Sequence, residues 1–334
     1  MNPQFIIAGH LHRDYLLPEI GLPCIDVPGG NLLYAASGLG VWETGIGLLT
    51  RVGEDYPRAW LQSFEKLGWD TDGIHISAEA MDLRHFQVIL EDQTVHYSNP
   101  MAHFARRGLP FPRSLLGYQP PMETLDGLKT SHPASPRPGD IPPDYLNARA
   151  VHLCPLEYST VCRLTSCFRD ASVTTLTLDP SSGFMNSKNL KDLRILLGGL
   201  TAFLPSEEDL RAAFWGLTDD LWQMAENLGE FGAEFIVIKR GAHGQLLYDS
   251  ISKKRWEIPA YPARLINITG AGDSFCGGFL AGYQKTFDPL RGVLYGSVSA
   301  SLAIEGTGAF YALETLPGLA QARLDSLAGI VRMI

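Results

Sequence analysis

The 334-residue chain contains no Gly-Lys dipeptide, which excludes a phosphate-binding loop of the G-x-x-x-x-G-K-[ST] type, and no G-x-G-x-x-G follows its first apolar run. It has only five cysteines, Cys24, Cys154, Cys162, Cys167 and Cys276. They are odd in number and include no C-x-x-C pair, so neither a disulfide framework nor a thiolate zinc site is indicated. Basic residues are sparse as well, 27 Lys and Arg against 36 Asp and Glu, for a net charge of −9. Nucleic-acid binders neutralise phosphates with clustered Lys and Arg, so that class is excluded and a small-molecule partner is expected. No apolar run approaches the roughly 20 residues that span a bilayer, which argues against a membrane partner. The opening stretch Met1 to Gly9 lacks the charged and apolar regions of a signal peptide, so a reduced, cytoplasmic protein is expected.

What is present is a large apolar fraction, 45%, enough to bury a sizeable core. Short apolar runs recur at Phe5 to Gly9, Gly45 to Thr50, Ala150 to Cys154, Thr174 to Asp179, Thr201 to Leu204 and Phe235 to Lys239. Helical-period stretches such as Asp219 to Leu228 separate them. Such alternation predicts an α/β fold, a doubly wound and mostly parallel sheet flanked by helices, in a single domain over 1–334. Two regions break the pattern. Residues 84–97 read as a hairpin turning at Glu91 to Thr94, and Tyr15 to Val27 reads as another extended segment, together forming a small sheet apart from the main one. Residues 106–143, rich in Pro and Gly, read as a long irregular loop.

The strongest chemical signal is Asn267-Ile-Thr-Gly270-Ala271-Gly272-Asp273-Ser-Phe275, followed by Cys276-Gly-Gly. A glycine-containing turn that opens a helix leaves N–H groups without partners at the positive end of the macrodipole, which makes a cradle for phosphate. Gly272 is expected to need an unusual backbone angle there. A carboxylate in that turn, Asp273, is well located to take a proton from an attacking hydroxyl. A tight turn with Asp273 as an ordinary helix cap fits the bare pattern equally well.

Residues 267–279 resemble the C-terminal signature of the PfkB/ribokinase carbohydrate kinase family, D-T-T-G-A-G-D-x-F, and other landmarks follow in order over nearly the whole chain. The resemblance implies a ribokinase-like fold with a small β lid, here approximately residues 11–28 and 84–104, closing over substrate and pairing with a second lid in a homodimer. It implies ATP and Mg2+ as cofactors and transfer of the γ-phosphoryl group to a hydroxyl of a small sugar-like molecule. Asp273 falls on the family's catalytic base, and Gly270, Ala271 and Gly272 fall on its anion hole. Gly9 and Asp14 resemble the opening Gly and the Asp that binds substrate hydroxyls. Gly29-Gly30, followed by Asn31, resembles the N-terminal Gly-Gly motif on the substrate side, and Val52-Gly53-Glu54-Asp55 resembles the later V-G-x-D. Lys239-Arg-Gly241-Ala-His-Gly244 resembles the turn beside the nucleotide, and Gly308-Ala309 the Gly-Ala that closes the adenine pocket.

Four positions depart from the family pattern. Tyr34 stands where an Asn touches the substrate, and Ser297 where an Asn lies near adenine. Asn267 replaces the Asp linked in some members to a monovalent cation. Ser206-Glu-Glu208-Asp209 replaces N-x-x-E, so Glu208 or Asp209 is expected to hold the magnesium and phosphates through water. A nucleoside kinase on the same fold is an alternative, with Tyr15, Phe86 and Tyr97 as candidates to stack a base. A catalytically weak ligand-binding sensor is a more distant one. His10 and His12 are set aside as a metal pair for want of a third ligand. Glu157 reads as an ordinary surface carboxylate, and Phe86, Val88 and Leu90 as a strand's packed face.

Overall fold

The computed structural model describes residues 2–92, 94–120 and 131–333. Part of the turn expected at Glu91 to Thr94, and residues 121–130 of the Pro-rich loop, lie outside the described residues.

The main sheet starts at Phe5–Ala8 (β1), where every residue is buried. Successive side chains point to opposite faces: Ile6 and Ala8 join one core layer, Phe5 and Ile7 the other. A run buried on both faces has no polar alternation, which is why it reads in sequence as plain FIIA. The chain then leaves the main sheet for His12–Leu17 (β2) and Cys24–Gly29 (β3), and returns through Asn31–Gly40 (α1) to Ile46–Val52 (β4). Arg58–Lys66 (α2) and Ile74–Ile76 (β5) follow, and then a second excursion, Arg84–Ile89 (β6), Val95–His96 (β7) and Pro100–Arg106 (α3).

The second half alternates Ala150–Leu153 (β8), Tyr158–Arg169 (α4), Thr175–Leu178 (β9), Leu193–Leu197 (α5), Ala202–Phe203 (β10), Glu207–Ala213 (α6), Leu221–Gly229 (α7) and Phe235–Lys239 (β11). Gln245–Asp249 (β12), Arg255–Ile258 (β13), Ala271–Thr286 (α8), Pro289–Ala303 (α9), Leu319–Ala328 (α10) and Arg332–Met333 (β14) complete the chain.

Ten strands form one sheet in the order β14-β13-β12-β11-β10-β9-β8-β1-β4-β5. The seven from β11 to β5 are parallel, and β12, β13 and β14 add antiparallel. Helices α4 to α7 pack on one face, and α1, α2, α8, α9 and α10 on the other. From β1 the order runs outward through β4 to one side and through β8 to the other. The boundary of β1 and β8 is therefore the topological switch point, where open α/β sheets leave a crevice beyond the strands' carboxyl ends.

β3-β2-β6-β7 form a separate four-stranded sheet. β2 and β6 run parallel and set Asp14 beside His85. Alternation gives this sheet two faces. Tyr15, Leu17, Phe86 and Val88 pack under Phe104, Leu115 and Tyr118 in a core of their own, while His12, Asp14, His85 and Gln87 face a cavity toward the main domain. The Pro-rich stretch is docked at its C-terminal part. Arg51 N–H donates to Ala134 O at 3.2 Å, and Asp140 pairs with Arg51 at 3.5 Å and His75 at 3.6 Å.

Candidate active site

Helix α8 places the phosphate-type turn. Its small residues allow very close packing: a Cβ on Gly277 would lie 1.9 Å from Ala35 O, and one on Gly38 would lie 2.1 Å from Ser274 O. That clamp against α1 sets the height of the α8 N-terminus over the sheet. Gly270 is the N-cap, with φ of 73°, and a Cβ there would fall 2.0 Å from the Tyr34 ring. The left-handed backbone thus belongs to Gly270 and not to Gly272, whose expected unusual angle is absent. A Cβ on Gly272 would lie 3.4 Å from Lys239 Nζ. The Ala271 N–H turns back to Ile268 O at 3.2 Å, while Gly272 and Asp273 sit in the first helical turn, where backbone N–H groups lack intrahelical partners. The Ala271 N–H, expected to face an anion, is thus engaged within its own loop.

Asp273 lines a cavity of about 320 Å³ together with His12, Asp14, Asn31, Tyr34 and His85. Its carboxyl is pushed up to about 7, first by burial and then by the nearby Asp179 carboxylate, with Lys239 opposing. Lys239 Nζ, at the end of β11, ion-pairs with Asp179 at the end of β9, and lies 3.7 Å from Cys276 Sγ. Burial lowers the Lys239 pKa, but the charges of Asp179, Cys276 and Asp273 and the hydrogen bond to Asp179 together outweigh it and the net direction is up. The ammonium stays charged one step from the phosphate turn. The sequence placed Lys239 with the nucleotide and missed Asp179, which ends an apolar strand like any helix-side Asp.

At the other wall, Asp14 is only 2% exposed. A Cβ on Gly29 would sit 1.8 Å from Asp14 Oδ2, so the first glycine of Gly29-Gly30 makes room for this carboxylate. Gly30, at φ of 100°, caps α1 against His10 O. Asn31 lines the cavity, but its amide spans the switch point: Oδ1 accepts from His10 N–H at 2.7 Å and Nδ2 donates to Pro155 O at 2.9 Å. The amide thus also braces the ends of β1 and β8. Tyr34 is buried against Gly270, and burial raises its phenol pKa. Among the stacking candidates, Tyr15 and Phe86 are fully buried under the small sheet, whereas Tyr97 borders the cavity. His12, expected to face the substrate side, does line the cavity; His85, Gln87 and Thr269 were missed, and alternation along β6 is the signal that points His85 and Gln87 inward.

The remaining expected residues are mostly tied up by the protein. Ser206 and Asp209 form a capping box on α6, with Asp209 Oδ2 accepting from Ser206 N at 3.0 Å and from Ser206 Oγ at 2.6 Å. Glu208 is exposed. Gly241 has φ of 53°, and Gly244, φ of 76°, packs its Cα against Ile258 O. Ser297 is buried and its hydroxyl donates to Gln245 Oε1 at 2.7 Å. Gly308, φ of 99°, faces Cys24 of β3. Glu157, read as an ordinary surface carboxylate, accepts from Ser135 Oγ at 2.7 Å and from His132 N–H at 3.1 Å, anchoring the docked loop.

A switch-point crevice in a parallel sheet, roofed by a small sheet and holding a carboxylate on a helix N-terminus, defines a kinase of the ribokinase fold. A protein described as ribokinase II from E. coli, in complex with ATP and Mg2+, superposes with a TM-score of 0.70 at 15% identity, covering 97% of this chain and 99% of that one. The nucleoside kinase of Burkholderia thailandensis in complex with inosine gives 0.69 at 17% identity, covering 97% and 99%. The cytidine kinase of Thermococcus kodakarensis is 26% identical over 282 residues, 84% of this chain and 89% of its own length. Residues 143–316 match the pfkB family carbohydrate kinase profile, and the chain belongs to that family.

Proposed function

We propose that the chain transfers the γ-phosphoryl group of ATP to a hydroxyl of a small sugar or sugar-bearing acceptor held between Asp14 and Asp273. The observation that carries this reading is the position of Asp273: on the first turn of α8, in one cavity with Asp14, with its pKa raised to about 7. A base poised near working pH serves proton abstraction best. The acceptor O–H proton passes to the Asp273 carboxylate as the oxygen bonds to the γ-phosphorus and the bond to the bridging oxygen of ADP breaks. The Gly272 and Asp273 N–H groups and the Lys239 ammonium stabilise charge on the transferring group.

Magnesium fits the residues present. Both Ser206 bonds fall on Asp209 Oδ2, which leaves Oδ1 for a hydrated cation, with exposed Glu208 beside it. When bound, the ion would neutralise phosphate charge. A nucleoside acceptor is the second reading, favoured by the imidazoles of His12 and His85, 5.1 Å apart, and the Tyr97 ring 5.8 Å from His85, which wall the cavity with flat faces. The cytidine kinase relative points the same way.

The test is ATP consumption over sugars, sugar acids, polyols and nucleosides, run with the wild type and Asp273→Asn. The variant is expected to keep ATP affinity and to lose on the order of 10²-fold or more in turnover. Turnover within about threefold of wild type on the best acceptor would remove Asp273 from the role of base.

A further inference from the structure

Three potential metal ligands converge on the cavity face of the small sheet. His85 Nδ1 lies 3.3 Å from Asp14 Oδ1, and His12 Nδ1 lies 3.9 Å from the same oxygen. The three atoms all fall within 4.8 Å of one another. An ordinary His-carboxylate pair would close to a charge-assisted hydrogen bond of about 2.7–2.9 Å. Here Asp14 Oδ1 and His85 Nδ1 are both buried and neither makes a hydrogen bond. Orphaned buried polar atoms are costly, and a pair of them facing each other marks a missing partner.

We propose that His12, Asp14 and His85 form a binding site for one divalent transition-metal cation of the zinc type inside the acceptor cavity. Four-coordinate zinc holds N and O ligands at about 2.0–2.2 Å, which puts neighbouring ligand atoms about 3.3 Å apart. The His85 to Asp14 separation already has that value, and the His12 ring, 3.9 Å from the same oxygen against 3.3 Å for His85, must move inward by at least the difference of 0.6 Å. Two imidazoles and one carboxylate select zinc, cobalt or nickel over magnesium, which prefers an all-oxygen octahedron. The backbone fixes the set, since β2 and β6 carry Asp14 and His85 as paired neighbours, and Gly29 presses on Asp14 Oδ2 from behind. Three protein ligands leave a coordination position toward the cavity, the open arrangement of sites where an exogenous oxygen binds. The inference shares Asp14 with the acceptor reading, but its optical readout needs no turnover, so its failure is distinguishable from a failure of that reading.

The full chain, stripped with a chelator, is titrated with CoCl2 while the visible d–d absorption is followed, and zinc is then added. One Co2+ per chain, with a band bleached by Zn2+, is expected. His12→Ala and His85→Ala should each weaken Co2+ binding by at least about tenfold, as loss of metal-site partners typically does. His75→Ala, outside the cavity, should bind as the wild type does. If an alanine variant fails to fold, His85→Gln carries the same test, because it keeps volume and removes the imidazole. No saturable band in the wild type, or an unchanged band in the His12 and His85 variants, would overturn the proposal.

Discussion

Gln87 Nε2 donates to Thr269 Oγ1 at 2.6 Å, and Thr269 Oγ1 in turn donates to Asn267 Oδ1 at 2.6 Å. Through this pair the small sheet is tied to the loop that opens α8, which links the two walls of the cavity. Gln87→Leu removes the bond while nearly keeping the volume. A neutral hydrogen bond contributes about 0.5–1.5 kcal/mol, so the acceptor KM should rise about two- to tenfold. The KM for ATP should hardly move. Steady-state kinetics varying each substrate in turn checks this, and an equal rise in both would mean that the link does not report on the acceptor side.

The acid limb of kcat/KM should show an apparent pKa near 7, because the base is active only when ionised and burial holds Asp273 there. Activity is therefore low below this pH, rises through it, and levels above. Asp179→Asn removes the like charge that raises Asp273 and frees the Lys239 ammonium, which lowers it. Both changes act in one direction, so the limb should move to lower pH. The variant should also melt at a lower temperature, since breaking a buried pair costs about 3–5 kcal/mol. A limb that stays near 7 would show that Asp179 does not tune the base.

The contrast between these residues explains what the sequence disclosed. β1 and β11 were legible because strands buried on both faces are nearly uninterrupted apolar runs, and the turn at Gly270 was legible because its glycine, helix start and carboxylate are contiguous. Asp14 meeting His85, and Asp179 meeting Lys239, depend on pairings between distant strands, and local periodicity carries no such information. Tyr15 and Phe86 illustrate the limit from the other side. Alternation fixed that they share a face, but whether that face met the ligand or the small sheet's own core depended on α3 and the 109–118 segment packing there.

Asn267 is expected to weaken any response to monovalent cations. Its Oδ1 accepts from both the N–H and the hydroxyl of Thr269, at 2.8 and 2.6 Å, so the side chain is turned into its own loop. A hard cation in this loop would lack both a formal negative charge and a free amide oxygen to offset its dehydration. Turnover should therefore change little among sodium, potassium and a bulky organic cation at matched ionic strength, a control needed because screening alone alters the attraction of ATP. Asn267→Asp should introduce a potassium preference. Potassium-specific activation of the wild type by about tenfold or more, equivalent to about 1.4 kcal/mol, would show that backbone carbonyls suffice.

The raised Asp273 pKa also has a stability signature, with a sign opposite to that of an ordinary salt-bridged carboxylate. Its folded value near 7 lies above the unfolded value near 3.8, so the folded state binds the proton more tightly. The favourable contribution is complete below the unfolded pKa and is lost as pH rises through about 7, where the folded protein must hold a desolvated charge beside Asp179. Asp273→Asn, neutral at every pH and close in shape, escapes that penalty. The variant should melt at a higher temperature than the wild type at pH 8, and the gap should shrink as pH falls and close near pH 4. Thermal melts across that range, on protein free of nucleotide, measure the gap. A variant no more stable than the wild type at pH 8 would mean that the carboxylate is well solvated in the free protein, and that its pKa is not the raised one on which the acid limb depends.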